Sequence, residues 1–180
     1  MRENKLVHLR RQSRWLARLT ILLLAATCLL MLLPTLLGLL RDDPSRLPVS
    51  RRLAAASVHW TPALFYLFAL WAIGRAFAAF GRGGTFGPSV ARGCTHAGVA
   101  LALGAAASAV AVPNMLRLFV QRGLIEGPPR GYGSVLVFDM AYVAVGVVGI
   151  AFVLLGRLLE RATEIEREAG ELRAELGEFF

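Results

Sequence analysis

The chain has 180 residues, 56% of them hydrophobic and only 18% charged, with a formal net charge of +8. Its mean hydropathy is +0.58. An apolar share above the about 45–50% of soluble domains, gathered in long blocks, excludes a disordered chain, and two cysteines exclude a disulfide-built scaffold.

Residues 1–14 are polar and basic, with Arg2, Lys5, Arg10, Arg11 and Arg14 against Glu3. From 15 to 40 the chain is apolar apart from Arg18. A helix of that length measures about 39 Å against a hydrocarbon core of about 30 Å. It can span with some tilt while Arg18 snorkels to the headgroups. The run far exceeds the roughly 7–15 apolar residues of a signal peptide, so a retained anchor is expected. Residues 41–58 form a loop with two Asp, two Pro and four Arg, in which 49–57 fit a short interfacial helix.

A second span is predicted over 60–80. Pro62 suits its first turn, where a missing N–H costs little. Arg75 lies near its inner end and snorkels. Gly81 to Gly93 is a Gly-rich connection. It lacks the Lys-Ser/Thr and the spacing of a phosphate loop, and reads as a turn. A third span covers 94–118, a Gly/Pro-rich loop 119–133, and a fourth span 134–155. The remainder is a charged amphipathic helix.

The fold class is therefore an all-α membrane protein: four transmembrane helices with a C-terminal cytoplasmic amphipathic extension. Residues 1–156 form the four-span domain and 157–180 the cytoplasmic helix. Four spans put both termini on one side. With the termini inside, inner segments hold eleven Lys/Arg and outer loops six. The positive-inside rule then places both termini in the cytoplasm. Nineteen of the twenty basic residues are Arg, which with abundant Ala and Gly points to a GC-rich bacterial genome; the expected location is the bacterial inner membrane. The basic residues end apolar runs and form no stripe interleaved with aromatics, so direct nucleic-acid binding is not expected.

Residues with catalytic chemistry are scattered. His59 and His96 lie most of a bilayer apart and cannot share a haem iron. Cys28 and Cys94 differ in depth by about 20 Å, beyond the reach of a disulfide. No catalytic, cofactor-binding or metal-ligating residues are expected, and no enzyme. Asp139 is read as the only acid within a span, about one and a half turns from the outer end of the fourth. Arg117 is its natural partner at similar depth. A structural pair is the plainer reading, and a proton or ligand site the sharper one. Ala100, Gly104 and Ser108 are spaced four apart, a small-residue stripe that suits internal packing better than dimerisation. Gly98, Ala102 and Ala105 broaden it.

The tail carries the clearest periodicity. Leu155, Leu158, Ala162, Ile165, Ala169, Leu172, Leu176 and Phe179 alternate steps of three and four, a heptad seam. Arg157–Glu160, Arg161–Glu164 and Arg167–Glu171 can pair along its flanks. Seven Glu argue against an anionic membrane surface. The seam fits a protein (a second copy, the Gly81–Gly93 loop, or a cytoplasmic partner), and the plainer alternative is a solvated extension of the fourth span.

The arrangement resembles a known family. Thr85-Phe86-Gly87-Pro88-Ser89-Val90 leads to Arg92-Gly93 before the third span, and the end reads Leu158-Leu159-Glu160-Arg161-Ala162-Thr163-Glu164-Ile165, closing on Glu178-Phe179-Phe180. This is similar to the bacterial membrane proteins of domain-of-unknown-function family 2975. The chain departs in having Gly87-Pro88 where the family has more polar residues, and Glu168-Ala169 where it has a Glu-Asn pair. The resemblance implies four helices, no assigned catalytic residues, and frequent gene neighbourhood with small helix-turn-helix transcription regulators. The expected function is a non-enzymatic regulatory or scaffold protein contacting a cytoplasmic partner through Phe86, Arg92, Ile165, Leu172, Leu176 and Phe179. The alternative is a small oligomeric transporter or lipid-binding protein using Asp139 and Arg117.

Overall fold

The computed structural model describes residues 2–40, 49–83, 87–124 and 139–178. Five α-helices form nearly all of it: α1 Arg2–Leu40, α2 Val49–Gly83, α3 Pro88–Ala106, α4 Val112–Gln121 and α5 Met140–Glu178. A π-helical segment, Ala107–Ala111, joins α3 to α4. No strand occurs among the described residues. Among the described residues four helical stretches are long and apolar enough to cross a membrane: Trp15–Leu33, Ala56–Arg82, Pro88–Gln121 and Met140–Gly177.

The third of these stays one rod despite Pro113. A proline has no N–H, and its ring crowds the carbonyl four residues back. Widening the helix just before it removes the crowding. The Val112 N–H accordingly reaches back five residues to the Ala107 carbonyl, and the chain continues as α4.

Neighbours in sequence pack together: α1 on α2, α2 on α3, and α3 on α5. Gln12, Phe80, Val90 and Leu159 border a single cleft, so the start of α1, the α2–α3 turn and the outgoing part of α5 meet at one end. This is the terminal end of an up-and-down bundle.

The core is built from small residues. Ala69, Ala72, Ala91, Ala97 and Ala100 are buried, whereas Leu22 and Leu30 of α1 are 70% and 72% exposed. That inverts the pattern of a water-soluble bundle. In lipid, large apolar side chains lose nothing by facing outward, and association depends on close backbone packing.

The structure departs from the sequence reading in three places. The interfacial segment 49–57 and the second span are one helix, so Pro62 sits well inside α2 rather than in a first turn. The run Arg51-Arg52-Leu53-Ala54-Ala55-Ala56 consists of strong helix formers, and hydropathy marks only the apolar part of a helix. The Gly81–Gly93 connection is mostly helical too. α2 continues to Gly83 and α3 starts at Pro88, with Pro at the first helical position where its fixed φ is favourable. Thirdly, Asp139 precedes the helix that was expected to contain it.

Candidate functional site

The tail seam is carried on α5, which runs unbroken for 39 residues. α5 meets α3 through glycines. A Cβ at Gly149 would stand 2.7 Å from the Gly98 carbonyl oxygen and 2.8 Å from Ala102 N, and one at Gly156 would meet Thr95 Oγ1 and the Ala91 carbonyl. At about 100° per residue, Ile165, Leu172 and Leu176 fall on the opposite side of α5 from Gly149 and Gly156. They are 65%, 61% and 59% exposed. α3 therefore cannot cover the seam. Of the three expected flanking pairs, Arg167–Glu171 closes at 3.2 Å. Being exposed, it is worth at most about 0.5 kcal/mol. Phe86 and Phe179 lie outside the described residues.

Arg92 is in the second turn of α3 and exposed. It borders the side of α3 that faces α2, so it does not share a surface with the tail seam.

Asp139 lies at the start of α5 and not inside the helix. It is non-helical and exposed, immediately before Met140. Its Oδ1 accepts the Ala141 N–H at 2.9 Å, and its carbonyl accepts those of Tyr142 and Val143. This is N-cap geometry, which satisfies donors that a helix start leaves orphaned. Among the described residues no ion pair joins Asp139 to Arg117, which is exposed on α4.

The small-residue stripe of α3 faces α2. A Cβ at Gly104 would come 2.7 Å from the Tyr66 ring. Ser108 Oγ lies 3.2 Å from the Tyr66 hydroxyl and donates to the Gly104 carbonyl at 2.9 Å. Ala100 is buried. The second thin face, Gly98 and Ala102, receives α5. Both small faces of α3 are thus occupied within one chain. Cys28 and Cys94 are free thiols.

Two hollows open at the terminal end. One, of about 390 Å³, is almost wholly apolar and lies between α1 and α5 over Phe77 and Phe80. The other, of about 660 Å³, lies between α2 and α3 and gathers Arg75, Arg82, Arg92 and His96. In the sequence the three arginines stand apart. Their signal was a run from 44 to 125 with no Asp or Glu, which leaves them without an acidic neighbour in sequence.

A family model described as a protein of unknown function (DUF2975) matches residues 42–171. The match takes in α2 to most of α5 and leaves out α1. No curated protein and no solved structure matches the chain.

Proposed function

The chain belongs to the DUF2975 family of proteins of unknown function, and from that footing we propose that it is a non-enzymatic scaffold of the bacterial inner membrane which holds a cytoplasmic protein on its tail helix. The observation that carries this is the placement of Ile165, Leu172 and Leu176. They form an exposed stripe on the far side of α5 from α3, its one extensive partner among the described residues. Steps of three and four suit a helix as occupant.

Charge selects the kind of helix. Residues 157–180 contain seven Glu against four Arg, so a basic amphipathic helix is attracted where a second copy of the tail is repelled. A small helix-turn-helix regulator, the neighbour that the family resemblance implies, is a protein of that chemistry. Both termini lie in the cytoplasm by the distribution of Arg, which puts the tail within its reach. The transporter alternative draws no support from the geometry, because the Asp139 carboxylate is engaged in capping α5 and forms no ion pair with Arg117 among the described residues.

The test begins with the full-length protein purified from its native membrane and its co-purifying regulator identified by mass spectrometry. Binding of that regulator is then compared between the intact chain, the chain lacking residues 160–180, and Ile165→Glu/Leu172→Glu. Membrane insertion should be intact in all three. Loss of two buried apolar contacts should weaken binding by at least about a hundredfold. Unchanged binding in the double variant would refute the tail as the docking element.

A further inference from the structure

We propose that the groove between α2 and α3 at the terminal end binds the phosphate-bearing headgroup of an anionic phospholipid. Arg75 and Arg82 border it from α2, and Ser89, Arg92 and His96 from α3. The two helices close tightly beneath it. A Cβ at Gly93 would stand 2.8 Å from Ala76 Cβ and 3.4 Å from the Ala72 carbonyl. The long cationic side chains of both helices are thereby brought to the rim of one hollow of about 660 Å³.

Among the described residues Arg75, Arg82 and Arg92 have no internal counter-ion. Neither α2 nor the rod from α3 to α4 contains an Asp or Glu, and no ion pair reaches Arg75, Arg82 or Arg92 among the described residues. Their side chains are held on their own helices instead. Arg82 Nε donates to the Ala78 carbonyl and Arg92 Nε to the Pro88 carbonyl, each at 3.3 Å. The Arg75 guanidinium lies 4.9 Å from the centre of the Trp71 ring. Each of these contacts leaves the terminal guanidinium nitrogens without a hydrogen bond among the described residues. Guanidinium forks match phosphate oxygens. The positive end of the α3 dipole lies at the same place.

Depth favours a lipid over a free phosphate. Arg75 is two turns, about 10 Å, deeper than Arg82, and below it the groove is walled by Trp71 and Phe68. A lipid can put its phosphate at the rim and lay an acyl chain on that wall. A soluble anion leaves the wall uncovered. Basic hollows between spans on the cytoplasmic side are the usual seat of anionic headgroups.

The experiment is native mass spectrometry of the full-length chain in neutral detergent. It is titrated separately with phosphatidylglycerol, with phosphatidylcholine of the same acyl chains, and with inorganic phosphate. Phosphatidylglycerol should be retained at least about tenfold more tightly than phosphatidylcholine. Arg82→Gln/Arg92→Gln should lower its retention roughly thirtyfold, while Arg157→Gln/Arg161→Gln on the tail should leave it unchanged. Equal retention of the two lipids by the unaltered chain would overturn the proposal, with no variant required. So would undiminished phosphatidylglycerol binding in the groove variant, or displacement of the lipid by inorganic phosphate.

Discussion

Replacing Gly98 with alanine sets two backbones against each other. The new Cβ would stand 2.5 Å from the Gly149 carbonyl oxygen and 2.6 Å from Val153 N, roughly 1 Å short of ordinary contact. Neither atom can rotate aside, so α3 and α5 must separate. Overpacking costs about 1–3 kcal/mol, and immovable partners put this site near the top of that range. Alanine regains about 1 kcal/mol of helix propensity over glycine. The net expectation is a loss of about 2 kcal/mol, roughly thirtyfold in the folding equilibrium. Gly170 supplies the control, because nothing lies within 4 Å of its Cβ position. Gly170→Ala should show the propensity gain alone. The assay is reversible SDS unfolding in mixed micelles, followed by fluorescence of the three Trp. If Gly98→Ala unfolds at the same SDS fraction as Gly170→Ala, close backbone contact is not what joins α3 to α5.

Two further outcomes follow from the same packing. Tyr66→Phe and Ser108→Ala each remove one end of the 3.2 Å bond between α2 and the π segment. Their double-mutant cycle should show a coupling of about 0.6 kcal/mol, and additive losses would mean that the hydroxyls do not bond. Asp139→Ala should cost about 1 kcal/mol in thermal unfolding, whereas Asp139→Asn, which keeps a capping oxygen, should cost only a few tenths. Equal losses from the two would show that the carboxylate's charge matters and not its cap.

The number of spans was legible because it depends on one-dimensional quantities. Twenty or so apolar residues satisfy a bilayer whatever they pack against, and four such runs stand out in the chain. The heptad of the tail was legible for the same reason, since 3.5-residue periodicity is a local property. Helix limits were less so. The segment from Val49 to Trp60 and the residues from Gly81 to Gly83 are helical because backbone hydrogen bonding continues outside lipid, where hydropathy carries no signal. Asp139 was misplaced by a single feature. An acid flanked by apolar residues looks mid-helical in a hydropathy window, but Asp is also a preferred N-cap, and its Oδ1–Ala141 bond shows that role.

The glycines mark the boundary between the two kinds of information. The order of apolar, small and charged residues along the chain determined that it would be a thin-faced bundle of four spans with a charged helical tail. Only the tertiary structure decided which face met which: Gly98 against Gly149, Gly104 against Tyr66, Gly93 against Ala76. It also decided that Arg75, Arg82 and Arg92 share one hollow, and that the tail seam faces away from α3. A sequence records the periodicity of each helix, but the relative rotation of two helices is set by mutual steric fit, which belongs to neither alone.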